Sequence, residues 1–314
     1  MPGQATTGLT PEQFDELVDR VDQRLVWDCG QGRSKELTLR QAVKAVVTYF
    51  RTNVTQEVIA ELLFVDQSTI SRTISDLEEI IAEALDEFVP ELPEEIDGRV
   101  AVVDGSLCPC WSWADAPELY SGKHKTSGHA HQFVCDLFGN LMHISDPLPG
   151  NTHDAKAMHQ TGLNELLGDD NAIGDKGYIG TGITTPYREP AGGELLDWQK
   201  EFNTSINKTR YVIERAIAHF KTWQCMHTDY RRPERTYATA FNAVRALHFF
   251  NYVSHKPQWL PLLALRSSTD WGWLRGTRSC RRSRCQAPDT PVGTCQLDRT
   301  TGAMIFSNTA GPLR

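Results

Sequence analysis

Three acidic residues occupy positions from which they could share divalent cations. Asp104 ends an apolar run typical of a buried strand, Asp175 ends a later one, and Glu214 lies inside a long helical stretch. Strand ends that are neighbours in a sheet present their carboxylates at one edge, and a helix across that edge can add a third. Mg²⁺ prefers such oxygen ligands, and two ions can activate a water or a 3′-hydroxyl for in-line displacement at phosphorus. We therefore predict that the three acids are catalytic and bind two Mg²⁺ or Mn²⁺ ions.

A fourth acid, Asp154, competes with Asp175 for the position of second metal ligand. Asp154 follows a predicted hairpin and starts a helix, whereas Asp175 ends the strand after it. We favour Asp175 as the second metal ligand. Asp154 would then hold a ligand or Lys176 in position, or would only cap its helix. Taken singly, each acid also has a structural explanation, because Asp-Gly pairs form turns. A hydrolase with histidine-bound metal is the weaker alternative, because no His-Glu-x-x-His spacing occurs.

The segment before these acids has the periodicity of helices. Residues 37–50 carry apolar side chains at helical spacing, a second helix starts at Thr55, and a third starts near Gln67. Its apolar stripe comprises Ile70, Ile74, Leu77 and Ile81. Residues 1–36 are expected to form a helical extension, with a helix over 11–25 before a glycine-rich break. We therefore predict an all-α domain over residues 37–92, ending at a proline-containing break.

After this break the pattern changes to short β-branched runs. Strands are predicted over residues 99–104, 131–136, 141–145 and 171–175. Helices are predicted over residues 155–167 and 208–223. This order indicates a mixed α/β domain over residues 98–256. The remaining residues, 257–314, have no period and are expected to be a disordered tail.

Residues 55–72 have the pattern of a helix, a tight turn and a second helix. In a helix-turn-helix, the first residues of the second helix meet base edges in the major groove of DNA. The predicted DNA contacts here are Gln67, Ser68, Thr69, Ser71 and Arg72. A small helical bundle without DNA is the structural alternative. Acidic residues follow along the second helix, so only its start is expected to approach DNA.

The net charge of −8 is unevenly distributed along the chain. Residues 1–100 carry −11 and residues 101–200 carry −7, whereas 201–256 and 257–314 carry +5 each. Phosphate contacts depend on local basic surface, which favours residues 205–256. Arg210, Glu214 and Lys221 share one helix face by their spacing. We predict that Arg210, Lys221 and Lys176 contact DNA phosphates.

Four motifs carry a specific family resemblance. They are Val-Val-Asp104-Gly-Ser, Pro-Gly-Asn-Thr-His153-Asp154, Gly-Asp175-Lys-Gly-Tyr178, and the helix from Arg210 to Lys221. Over residues 37–252 the chain resembles prokaryotic insertion-sequence transposases with an Asp-Asp-Glu (DDE) nuclease domain, of the Harbinger-like superfamily-endonuclease group. The resemblance implies a ribonuclease-H-like fold with two aspartates on strands and the glutamate on a helix. The helix resembles a Tyr-x2-Arg-x3-Glu-x6-Lys signature, from which Asn207 departs at the tyrosine position.

The expected function is that of a DNA transposase. It would bind the terminal repeats of its element in double-stranded DNA, hydrolyse a phosphodiester at each end and join the 3′-hydroxyl to target DNA. Because two ends are processed together, a homodimer is expected. A related endonuclease that cuts without transposing, or an inactive DNA-binding regulator, are the alternatives. Without an apolar membrane span or a secretion signal, the chain is expected in the cytoplasm, associated with the nucleoid, with all eight cysteines as free thiols.

Overall fold

The computed structural model describes residues 4–27, 35–92, 96, 99–111, 115–168, 171–253, 294–297 and 304–307. The chain divides into two units, residues 1–261 and 262–314. In the second unit, two strands, Thr294–Leu297 and Met304–Ser307, form an antiparallel pair. They occur where we expected a disordered tail; the rest of that tail lies outside the described residues. The glycine-rich break at 29–34 also lies outside them.

Side-chain caps fix where the N-terminal helices begin. The helices are α1 (Gln4–Thr7), α2 (Pro11–Asp22), α3 (Leu39–Thr52), α4 (Gln56–Leu63) and α5 (Gln67–Ala84). Thr10, Thr38 and Thr55 each accept a hydrogen bond from a backbone N–H of the first turn that follows. Phe64, in the left-handed conformation, ends α4 and forms the tight turn into α5. The predicted stripe of α5 is confirmed, since its four aliphatic side chains are fully buried.

A mixed sheet follows the helices. Its strands are β1 (Ala101–Pro109), β2 (Tyr120–Ser121), β3 (Thr126–Asp136), β4 (Leu141–Ile144), β5 (Leu148–Pro149) and β6 (Ala172–Ile173). The central strand β1 runs antiparallel to β3 and parallel to β6, and β3 also pairs with β2, β4 and β5. In this register Asp104 lies opposite Phe133, and Gly105 lies opposite Gln132.

Four α-helices follow β5 in the part of the first unit that the structure describes. They are α6 (Asp154–Gln160), α7 (Leu163–Leu166), α8 (Asp197–Phe220) and α9 (Tyr237–Val253). The single helix predicted over 155–167 is divided at Gly162, whose φ of 70° is left-handed. The predicted helix at 208–223 begins earlier, at Asp197. Among the described helices, none is long and apolar enough to cross a membrane.

The helical segment and the sheet share one hydrophobic core. The same buried cluster contains Phe14 of α2, Ile74 of α5, Phe133 of β3 and Phe250 of α9. Phe88, just after α5, contacts Phe250 edge-on with ring centroids 5.0 Å apart. The first unit is therefore one packed body in which α5 and β1 have a fixed relation.

Candidate active site

Asp104 lies in the middle of β1, which continues to Pro109 rather than ending at the acid as expected. Its side chain is 20% exposed, and its Oδ2 lies 3.4 Å from Nη2 of Arg210 on α8. Burial raises the pKa of Asp104 to about 6; Arg210 lowers it, whereas the charges of Asp175 and Asp154 raise it further. Three aspartates therefore interact across three different elements.

Asp175 follows β6 and is held by a single turn. Its Oδ1 accepts a hydrogen bond of 2.7 Å from the N–H of Gly177. The next residue, Tyr178, is fully buried and donates a 2.6 Å hydrogen bond to Oε1 of Gln132 on β3. Burial raises the pKa of Tyr178 well above its usual value, and Asp154, Asp104 and Asp175 raise it further. The neutral phenol is thus packed beside the three carboxylates.

Asp154 lies between the other two aspartates. It is the first residue of α6, where His153 occupies the cap position, so Asp154 is not the helix cap. A Cβ atom placed on Gly105 would lie 2.4 Å from Asp154 Oδ1. One placed on Gly177 would lie 2.8 Å from Asp154 Oδ2 and equally far from Asp175 Oδ1. The two glycines therefore leave the space that the Asp154 carboxylate fills.

Helix α8 contacts β1 through two basic side chains. Near one end of this contact, Arg210 pairs with Asp104. Further along, Lys221, the residue that caps α8, donates a 2.9 Å hydrogen bond from Nζ to the carbonyl oxygen of Leu107. Glu214 is exposed and stands between these two contacts on the same face. The structure thus brings Asp104, Asp154 and Asp175 together, whereas no hydrogen bond or ion pair among the described residues joins Glu214 to them.

The donor set of this site fits Mg²⁺ or Mn²⁺. Asp104, Asp154 and Asp175 offer hard oxygen atoms, which these ions prefer. Burial disfavours a charged Asp104 without a counter-cation, and the Arg210 guanidinium now supplies that positive charge. Across the part of the chain that the structure describes, no three His, Cys, Asp or Glu side chains already form a metal-binding geometry.

The predicted base-contacting residues lie together at the start of α5. Gln67, Ser68 and Arg72 are exposed, and Thr69 and Ser71 are half-buried. Arg72 donates hydrogen bonds to the carbonyl oxygen (3.0 Å) and hydroxyl (3.2 Å) of Ser68. The predicted phosphate contact Lys176 is exposed in the turn beside Asp175, and its carbonyl oxygen accepts a 2.9 Å hydrogen bond from Arg188.

Two neighbours of the aspartates were not identified from the sequence. Gln132 is buried on β3, and Lys123 reaches Asp154 from the turn before that strand, with Nζ 3.6 Å from Oδ2. A glutamine directly before the apolar run Phe133-Val-Cys135 was the available signal for Gln132. For Lys123, the signal was the run Gly-Lys-His-Lys between two strands.

Comparison with known proteins places the chain in a family. A profile described as "DDE superfamily endonuclease" matches residues 103–248, and one described as "Helix-turn-helix of DDE superfamily endonuclease" matches residues 35–87. The chain is 32% identical over 222 residues to the putative transposase for insertion sequence element IS112 of Streptomyces albus G. The aligned stretch covers 70% of this chain and 83% of that protein. The chain belongs to the insertion-sequence DDE transposases. The predicted family is thereby confirmed.

Two other relatives extend the comparison of this DDE transposase. The probable transposase for insertion sequence element IS702 of Microchaete diplosiphon is 25% identical over 260 residues, covering 78% of this chain and 92% of that protein. The virulence regulon transcriptional activator VirB of Shigella flexneri is 30% identical over 116 residues, only 34% of this chain and 37% of that protein. No solved structure matches the chain. The mixed α/β fold and the helix-turn-helix segment agree with the family.

Proposed function

We propose that this DDE transposase binds the terminal repeats of its element, hydrolyses a phosphodiester at each end and joins the freed 3′-hydroxyl to target DNA. The observation that carries the proposal is the grouping of three aspartates from β1, α6 and the turn after β6, with α8 lying across β1. Processing of two ends together favours a homodimer. Of the alternatives, a nuclease that cuts without joining uses the same site, and an inactive regulator uses only the helical segment.

The sheet supports a ribonuclease-H-like catalytic domain. Its first strand lies between an antiparallel neighbour, β3, and a later parallel strand, β6. Of the proposed catalytic set, Asp104 lies on β1 and Asp175 lies just after β6. The third, Glu214, comes from the long helix packed against β1. We therefore keep the assignment of Asp104, Asp175 and Glu214 as ligands.

The surrounding side chains have separate roles in this proposal. Divalent ions at the carboxylates would activate the attacking oxygen and neutralise the leaving oxygen. Arg210 neutralises Asp104 before ligands arrive, and its buried Nε has no hydrogen-bond partner among the described residues, which leaves it for a phosphate oxygen. Lys221 holds β1 through the carbonyl of Leu107 and so fixes the strand beside Asp104. Asp154 fills the space that Gly105 and Gly177 leave next to Asp104 and Asp175.

At the start of α5, exposed amide, hydroxyl and guanidinium groups suit direct contact with bases. Glutamine can pair with adenine and arginine with guanine in the major groove. Arg72 would have to leave Ser68 to do so, which costs two exposed hydrogen bonds. We propose that this surface supplies the sequence specificity and that Lys176 and Arg210 bind phosphates near the cleavage position.

The decisive experiment is Mg²⁺-dependent cleavage of a duplex that carries the sequences flanking the gene. Asp175→Ala is compared with Asp154→Ala and wild type, and Asp146→Ala is the control because that residue is 80% exposed and pairs with Arg245. We expect Asp175→Ala to abolish cleavage while DNA binding persists, and Asp154→Ala to retain part of it. Strand transfer into a plasmid separates transposition from cutting alone. A wild-type protein that binds but never cuts would overturn the catalytic proposal and favour the regulator.

A further inference from the structure

A tight turn between β2 and β3 presents three basic side chains to solvent. The turn is Gly122-Lys123-His124-Lys125, and all four residues are exposed. Its backbone is fixed because Ser121 accepts hydrogen bonds from the N–H of Lys125 (2.7 Å, to the carbonyl) and from that of His124 (3.4 Å, to the hydroxyl). Lys125 takes the left-handed conformation, with φ of 53°. The turn is thus an ordered feature that directs positive charge outward.

This turn borders the aspartate group. Lys123 Nζ lies 3.6 Å from Asp154 Oδ2, although the lysine side chain is 66% exposed. Partial burial lowers the pKa of His124, and the nearby charges of Lys123 and Lys221 lower it further. Lys221 in turn is bound to β1 at the carbonyl oxygen of Leu107. Positive groups from the turn and from the end of α8 therefore stand together at one side of the acids.

The surroundings of the turn leave it accessible to a large polyanion. A Cβ atom placed on Gly122 would meet nothing within 4 Å, so the space beside the backbone is open. Within the described part of the chain, no carboxylate forms an ion pair with Lys125. An exposed ion pair such as that of Lys123 with Asp154 contributes little to the free energy of unfolding, so stability does not account for two lysines in this turn. A negatively charged catalytic centre, however, needs adjacent cations before a phosphodiester can approach it.

We propose that the Gly122–Lys125 turn binds the phosphate backbone of double-stranded DNA at the edge of the catalytic site, with Lys123 exchanging Asp154 for a phosphate. The inference rests on the proposed function, since it places the same DNA against the same acids. It adds a contact surface outside both α5 and α8. Lys123 and Lys125 each neutralise a phosphate, and the contact is independent of base sequence.

Salt dependence of DNA binding measures this contact directly. The full chain is titrated in EDTA against a fluorescent duplex of arbitrary sequence, over about 50 to 200 mM NaCl. The slope of log affinity against log salt is negative, and each lost phosphate contact reduces its magnitude by about 0.9. Lys123→Gln combined with Lys125→Asn should therefore reduce the magnitude of the slope by about 1.8. Asparagine replaces Lys125 because it tolerates the left-handed backbone at this position. Lys123→Gln alone, expected to reduce the magnitude of the slope by about 0.9, covers the case that the double variant fails to fold.

Lys200→Gln is the matched control, because this lysine lies on α8 and pairs with Glu194 and Asp197. Its slope should equal that of wild type. If the wild type cuts its element ends and the Lys123 variants keep the wild-type slope, the turn contact is overturned. The proposed function then remains intact. A slope of reduced magnitude in a protein that never cuts supports the contact and overturns the nuclease. A wild type that does not bind the arbitrary duplex overturns the turn contact.

Discussion

Removing one partner of the buried ion pair between Glu78 and Arg232 should destabilise the whole first unit. Their side chains are only 6% and 7% exposed. Arg232 Nη2 donates a 3.0 Å hydrogen bond to Glu78 Oε1, Nη1 donates a second to Oε2, and Nη2 also reaches Ser75 Oγ at 3.2 Å. Loss of either partner leaves a charge buried without compensation, which costs about 3–5 kcal/mol.

Urea denaturation at neutral pH measures this effect in Glu78→Met, Arg232→Met and the double variant. Each single variant should lose about 3–5 kcal/mol of unfolding free energy. The double variant should lose less than either single variant, because an apolar pair of similar volume removes both desolvated charges. Single losses below about 1 kcal/mol, or losses that add in the double variant, would refute the assignment of a buried, mutually dependent pair.

The same pair connects the proposed recognition helix to the catalytic strand. Glu78 lies on α5, and Arg232 follows Tyr230, whose N–H donates a 3.0 Å hydrogen bond to the carbonyl of Pro109 in β1. We therefore expect folded Arg232→Met protein to bind element ends but to cut them at less uniform positions. Sequencing of the cleaved ends provides the measurement, and uniform cutting in the variant would contradict this coupling.

Three further variants test the site and its surroundings. Asp104→Asn in EDTA should stabilise the protein by up to about 3 kcal/mol at pH 8 and by almost nothing near pH 4. The reason is that burial raises the pKa of Asp104 to about 6, so the wild type loses stability as the pH rises towards that value. Urea denaturation of both proteins at the two pH values measures the difference. His131, whose pKa burial lowers to about 3, stays neutral in the folded state, so stability should fall as pH drops from about 6.5. His131→Gln should flatten that dependence, and parallel pH profiles for both proteins would contradict it. Gly105→Ala should destabilise the fold by about 1–3 kcal/mol by crowding Asp154, and adding Asp154→Ala should restore its melting temperature.

Local signals were sufficient for the helical segment. Thr38 and Thr55 cap α3 and α4, and the aliphatic stripe of α5 determines its buried face, so all three helices agree with prediction. Such features depend on residues within one or two turns of each other. The sequence therefore predicted these elements to within about two residues.

Longer-range contacts explain where the prediction was wrong. β1 extends to Pro109 because β3 pairs with it along its whole length, which no pattern within residues 99–109 specifies. α9 was not predicted, since its apolar residues surround the helix and produce no clear stripe. The early start of α8 at Asp197 includes polar residues that favour a loop when considered alone. Tertiary packing, rather than propensity, decides these boundaries.

The candidate site shows the same division. Motif spacing identified the four acids, but the position of Asp154 between two glycine backbones depends on how β1, α6 and the turn after β6 meet. From their order in the chain, Asp154 and Asp175 were alternatives for the second metal ligand, whereas the fold places both beside Asp104. The run Gly-Lys-His-Lys marks Lys123 as basic, but only the fold shows how near it lies to Asp154.

Under the proposed function, the shared core fixes the distance between the helix that recognises the terminal repeat and the site that cleaves the DNA. α5 packs against α9 and is tied to β1 through Arg232 and Tyr230, so its exposed start cannot move independently of Asp104. A protein with a flexible linker could cut at variable distances from its recognition sequence. Here the offset is fixed by packing within the first unit. Duplexes in which the spacing between repeat and cleavage position changes by half a helical turn should consequently bind through α5 and resist cutting.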